Sequence, residues 1–178
     1  MAMMREQAVS DLPSPLENWF ATRGWRPRRH QLEMLAEGRA GHHALLVAAT
    51  GAGKTLAGFL PTLAELIEAP TTGLHTLYVS PLKALAVDVQ RNLLTPIDEM
   101  GVDIRVETRT GDTPSDRKAR QRIKPPQILL TTPESLSLLL SYPDSITMFE
   151  NLRTIVVDEV HAFATGKRGD LLSLCMAR

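Results

Sequence analysis

The chain has 178 residues with 20 basic and 20 acidic side chains, a formal net charge of zero, which is enough for one domain burying roughly 70% of its unfolded surface and too short for two comfortable ones. Balanced charge neither demands nor excludes a nucleic-acid partner. The single cysteine, Cys175, excludes an internal disulfide and a cysteine-built zinc site and fits the cytoplasm, while the absence of an apolar run after Met1-Ala2-Met3-Met4-Arg5, or of any stretch near ~18 apolar residues, argues against secretion and membrane spanning.

Ser14-Pro15-x-Glu17 joins an N-cap serine, a proline in the first turn and an acidic partner, predicting a helix to about Thr22. A second helix follows Pro27, carries His30, Gln31, Leu32, Met34 and Leu35, and is expected to stop at Gly38. From there β-type runs at 44–48, 76–79, 104–108, 128–131 and 154–157 alternate with helical patterns near 54–68, 82–100, 114–122 and 133–141. That alternation predicts an α/β fold with a parallel sheet wrapped by helices. Leu45-Leu46-Val47 and Ile155-Val156-Val157 are continuously apolar, as strands buried on both faces are, and are the central-strand candidates. Pro61 and Pro96 fall inside helical patterns, where a kink or break is expected.

Ala49-Thr50-Gly51-Ala52-Gly53-Lys54-Thr55 follows the first apolar run and opens a helix. Glycines there let backbone N–H groups approach phosphates, Lys54 adds a point charge at the β/γ oxygens, and the Thr55 hydroxyl suits Mg²⁺, so the loop reads as a nucleoside-triphosphate cradle. Such a loop usually opens with Gly six residues before the Lys; here that position is Ala48. After the run at 154–157 stands Asp158-Glu159-Val160-His161. Two carboxylates at a strand's C-terminal end suit two jobs: Asp158 holding Mg²⁺, and Glu159 polarising the attacking water. Residues 105–124 carry seven basic side chains (Arg105, Arg109, Arg117, Lys118, Arg120, Arg122, Lys124) against Glu107, Asp112 and Asp116, either a solvated face or an electrostatic margin for nucleic acid. His42 and His43 lack companions at metal-ligand spacing and read as loop residues.

With these motifs in order, the chain from about Trp19 to Arg178 resembles the superfamily 2 DEAD/DEAH-box (Asp-Glu-x-His) helicases. The resemblance implies a RecA-like phosphate-loop domain, ATP and Mg²⁺ as cofactors, Gln31 reading the adenine edge beside Thr50, Gly51, Ala52, Gly53, Lys54 and Thr55, and His161 coupling the nucleotide to the nucleic acid. It further implies nucleic-acid backbone contacts at Ser80-Pro81-Leu82-Lys83-Ala84-Leu85 (Pro81, Lys83, Ala84), at Arg109 with Thr110-Gly111-Asp112 (Arg109, Gly111, Asp112), and at Thr131-Thr132-Pro133-Glu134-Ser135-Leu136 (Thr132, Pro133, Glu134). Each segment also has a plain reading, a cap at Thr132 or a turn at Gly111-Asp112. Within the superfamily, Trp19-Phe20, Gly24-Trp25-Arg26-Pro27 and Gly166-Lys167-Arg168-Gly169 look most like the large helicase-related proteins and the branch found beside bacterial DNA ligases. That likeness implies 3'-to-5' translocation on single-stranded DNA in repair, with ligase or nuclease partners.

The same resemblance divides the chain into an extension, 1–40, and a partial ATP-binding domain, 41–178, cut short after the acidic motif. The family's next motif, Ser-Ala-Thr on a strand, is absent from the 17 residues after His161. In the family that strand sits between the phosphate-loop strand and the acidic-motif strand, so its loss is expected to leave both edges unpaired. Two other classes remain open: a phosphate-loop GTPase or small-molecule kinase, disfavoured by the missing Asn-Lys-x-Asp signature and by the later motifs, and a nucleotide-dependent nucleic-acid binding module without catalysis of its own.

Overall fold

The computed structural model describes residues 12–49 and 51–178; the N-terminal Met1–Arg5 reading and Thr50 lie outside them. The described chain forms two compact units, one taking in residues up to Pro70 with Thr95–Val102, the other Thr71–Leu94 with Asp103–Arg178.

In the first unit, helix α1 (Ser14–Thr22) starts one residue earlier than its sequence signal. Pro13 occupies the N-cap and no side chain caps the helix, so Ser14 is helical and the expected reciprocal cap does not form. Leu16, Trp19 and Phe20 are buried on one face. The Trp19 indole donates to Glu99 Oε2 at 2.7 Å, and Arg23 forks onto the same carboxylate. Trp25 is 51% exposed and meets Trp19 edge-on with centroids 5.8 Å apart. Helix α2 (Arg29–Arg39) runs through Gly38 instead of stopping there. The reason for glycine is packing: a Cβ on Gly38 would lie 2.6 Å from Pro61 Cβ on helix α3 (Lys54–Glu68). Pro61 does not break α3, which buries Phe59, Leu60, Leu63 and Leu66 around it.

The second unit holds a four-stranded parallel sheet, β1 (Thr76–Val79), β2 (Val106–Arg109), β3 (Ile128–Thr131) and β4 (Thr154–Val157), in the order β2-β3-β1-β4. Connecting helices are α4 (Lys83–Met100, continuous through Pro96), α5 (Ser115–Ile123), α6 (Pro133–Leu140) and the unforeseen α7 (Ser145–Phe149). A 3₁₀ turn (Val160–Ala162) and α8 (Lys167–Met176) follow β4. Leu77 and Val79 of β1 and Leu129 of β3 pack with Leu136, Leu139, Met148, Phe163 and Leu172, so α6, α7 and α8 cover one sheet face. Every residue of β1 and β3 is buried, which makes these two the central strands. None of the helices is long and apolar enough to cross a membrane, among the described residues.

Two strand expectations are corrected. Residues 42–49 take no regular structure, and Leu45 and Val47 are 75% and 86% exposed. A strand is not locally stable; its N–H and C=O groups need a ladder partner, and no described strand pairs with this run. β4 is likewise an edge, with Ile155 37% exposed, rather than a central strand.

Candidate functional site

In the first unit the loop before α3 is shaped for an anion. Gly51 and Gly53 sit at φ +78° and +76°, where a side chain is strained, and space around a Gly51 Cβ is open. Gly53 is the N-cap of α3 and no side chain caps that helix, so its first N–H groups and positive dipole end stay available. Lys54 Nζ rests on the Ala48 carbonyl at 3.0 Å, which engages one of its three donors. Gln31 is 4% exposed: its Oε1 accepts from the Arg28 N–H at 2.8 Å and its Nε2 donates to the Gly53 carbonyl at 3.4 Å. The amide ties α2 to the loop through these two bonds.

In the second unit β4 ends in the acidic pair. Asp158 N–H donates to the Val79 carbonyl at 2.9 Å, continuing the β1–β4 ladder. Its Oδ1 accepts from the Glu159 N–H at 2.9 Å and its Oδ2 from the Tyr78 hydroxyl. Burial first, and the Asp158 hydrogen bond second, push the Tyr78 phenol far above its usual range. Glu159 is the sole non-glycine at positive φ among the described residues (φ 47°, ψ 47°), a left-handed conformation that costs about 1–3 kcal/mol and that clusters at functional sites. The following turn holds it, with Ala162 N–H on its carbonyl at 2.8 Å; His161 Nδ1 lies 3.3 Å from its carboxylate. Mg²⁺ prefers oxygen ligands, one or two carboxylates plus substrate phosphates and water, so the Asp158 carboxylate fits that ion chemically, and in the first unit the Thr55 hydroxyl is an oxygen of the same ligand type. No cluster of three or more His, Cys, Asp or Glu side chains suited to a metal occurs among the described residues.

The segments expected at nucleic acid divide by exposure. Lys83, Ala84, Gly111, Asp112 and Glu134 are exposed, whereas Pro81, Thr132 and Pro133 are buried. Arg109 requires a correction. It is 2% exposed, with its guanidinium donating to the Lys118 carbonyl at 2.8 Å and to Gln121 Oε1 at 3.3 Å, so it braces α5 against β2 instead of facing solvent. Burial lowers its pKa. The exposed acids are neutralised: Lys83 Nζ contacts both Asp112 oxygens at 2.9 and 3.0 Å, and Arg168 forks onto Glu134 at 2.5 and 3.1 Å, holding that carboxyl below the ordinary carboxylate range. Thr132 caps α6 through a long 3.5 Å contact from Ser135 N–H.

The basic stretch is largely consumed internally. Arg105 donates to the Pro125 carbonyl, Lys118 to that of Gly111, and Arg120 and Arg122 pair with Glu107 and Asp144. Arg117 keeps its charge for solvent and lines a cleft of about 380 Å³ with Lys83, Thr108, Thr110 and Pro114. Sequence pattern did not single out Tyr78, and it gave no sign that Arg168 would pair with Glu134. The β-type run at 76–79 says nothing of a partner for Tyr78; only the register opposite Val156 brings it to Asp158.

A family model described as DEAD/DEAH box helicase matches residues 28–178. The Lhr helicase/probable uracil glycosylase of Mycolicibacterium smegmatis is 43% identical over 173 residues, covering 90% of this chain and 11% of that protein. The ATP-dependent helicase Lhr-Core of Methanocaldococcus jannaschii is 38% identical over 191 residues, covering 97% and 22%. A solved structure of the Mycobacterium smegmatis helicase Lhr, bound to single-stranded DNA and AMP-PNP, superposes with a TM-score of 0.87 at 40% identity, covering 95% of this chain and 23% of that one. The chain thus spans 11%, 22% and 23% of these three matches.

Proposed function

This chain belongs to the DEAD/DEAH box helicase family, and from that premise we propose that it forms part of the first motor domain of an ATP-dependent nucleic-acid helicase. The observation that carries the reading is the loop before α3, whose two left-handed glycines and uncapped helix N-terminus make an anion cradle around Lys54. In the proposed roles, Lys54 leaves the Ala48 carbonyl for the β/γ-phosphates and Gln31 offers its remaining amide groups to adenine. Asp158 in the second unit and Thr55 in the first each offer an oxygen suited to Mg²⁺, which when bound would neutralise charge on the phosphate oxygens. Glu159 orients the attacking water, and its left-handed backbone fixes where that carboxylate starts.

On the nucleic-acid side, Lys83, Gly111, Asp112 and the backbone at Thr132–Pro133 are proposed to meet phosphates without reading bases. The ssDNA in the similar Lhr structure supports single-stranded DNA as substrate. Direction 3'-to-5', a role in repair, a cytoplasmic setting and ligase or nuclease partners rest on the sequence likeness to the ligase-adjacent branch. The division at residue 40 is likewise part of the proposal. A second reading, a nucleotide-dependent binding module without turnover of its own, is favoured by the unpaired run at 42–49 and the open β4 edge. ATP binding and turnover separate the assigned roles: Lys54→Ala is expected to lose binding, whereas Glu159→Gln keeps binding and loses hydrolysis. If Glu159→Gln turned over ATP normally, or lost binding as fully as Lys54→Ala, the roles would be wrong.

A further inference from the structure

We propose that Tyr78 is a positioning residue for the Asp158 carboxylate, fixing the orientation in which that group holds a divalent cation; the inference rests on the reading of Asp158 as a metal ligand. Three observations lead to it. First, β1 and β3 are otherwise filled by aliphatic side chains and threonines at their buried positions, and the phenol at 78 is 1% exposed. A phenylalanine ring would fill the same volume, whereas a buried hydroxyl is costly unless it is hydrogen-bonded. Second, that hydroxyl donates to Asp158 Oδ2 across 80 positions of sequence. Third, Oδ1 of the same carboxylate is taken by the Glu159 N–H at 2.9 Å.

The terminal torsion of an aspartate is broad and loosely two-fold, so one donor leaves the carboxylate plane free to turn. Two donors, one on each oxygen, fix it: the Tyr78 hydroxyl from β1 and the N–H of Glu159 just beyond the end of β4. Each oxygen retains a lone pair for a cation. The register makes this specific to position 78: Tyr78 pairs with Val156, and the ladder continues with Asp158 N–H on the Val79 carbonyl, which sets the ring beside the strand end. Leu77 and Val79 belong to the opposite face, in the cluster under α6 and α8. Outer partners of metal-holding carboxylates are typically worth 10–100-fold in metal affinity.

The test uses the protein at its full natural length and Mn²⁺ as the probe. Binding of a fluorescent AMP-PNP analogue is titrated in EDTA and in Mn²⁺, and the ratio of the two Kd values gives the metal's enhancement. Tyr78→Phe, which keeps the ring, is expected to lower that enhancement about tenfold with the EDTA Kd unchanged, while Asp158→Asn abolishes it. If Asp158→Asn abolishes the enhancement and Tyr78→Phe leaves it intact, the positioning role is overturned and the Asp158 reading stands. If neither variant changes it, the metal reading itself falls and takes the proposal with it. An equal loss with and without Mn²⁺ in Tyr78→Phe would mark the tyrosine as packing alone and also overturn the proposal.

Discussion

Gly169→Ala is expected to destabilise the second unit, although helix propensity by itself predicts the reverse. Gly169 lies in the first turn of α8, where alanine would ordinarily gain about 1 kcal/mol over glycine. A Cβ there, however, would lie 1.9 Å from the Phe163 carbonyl oxygen and 3.0 Å from its carbon. Both are backbone atoms, so no side-chain rotation relieves the contact. Phe163 is anchored in the core with Leu172, and Gly169 N–H is bonded to the Gly166 carbonyl at 3.0 Å, so α8 must lift or the turn must open. Overpacking of this kind costs about 1–3 kcal/mol, and the severity of the overlap places it at the upper end. After the propensity gain, a net loss of about 2 kcal/mol remains. With a urea m-value of about 2 kcal/mol/M, the unfolding midpoint falls by about 1 M. Ser173→Ala, an exposed position of the same helix, is the control and is expected to leave the midpoint unchanged or slightly raised. A Gly169→Ala midpoint equal to or above the unsubstituted one would refute the packing argument.

Arg109→Met is expected to cost about 2–4 kcal/mol, because it strips the Lys118 carbonyl and Gln121 of their buried partner, while the salt slope of nucleic-acid binding stays unchanged; a flattened slope would return Arg109 to the surface. Arg117→Ala should weaken single-stranded DNA binding equally across sequences and reduce the salt slope by about 1, whereas Arg120→Ala, already paired with Glu107, should not; the reverse order would refute the assignment. The Arg23 hydrogen bond, then that of Trp19, hold the Glu99 carboxyl below its ordinary value. The stabilisation is therefore complete above the unfolded-chain value of about 4.3 and is lost as pH falls through the lower folded value. Tryptophan emission should report α1 loosening only in that acid window and lose the transition in Glu99→Gln; a transition near neutrality would contradict it.

Most helices and four of the five expected strands were legible because their signals are local: apolar period, proline in a first turn, glycine at a loop. The proposed phosphate loop and acidic pair stand out in the sequence for the same reason, since each places its chemistry within a few consecutive residues. Pro61 misled because a local rule met a tertiary contact. Packing against Gly38 holds α3 through the proline, which local propensity alone would break.

What the sequence determined by itself was the α/β class, the positions of six of the eight described α-helices to within a few residues, and the types of group able to handle a nucleotide. What tertiary structure alone decided was which groups meet. Leu45-Leu46-Val47 has every property of a buried strand, yet it stays irregular because a strand is completed by another segment's hydrogen bonds. Arg109 and Arg117 are the same residue type eight positions apart, and only folding sends one guanidinium under α5 and leaves the other lining a cleft. Tyr78 and Asp158 are 80 positions apart and meet only through the β1–β4 register. Local patterns fix backbone conformation because its energetics are summed over neighbours in sequence. Pairing, burial and charge neutralisation depend on neighbours in space, which the chain acquires only once it has folded.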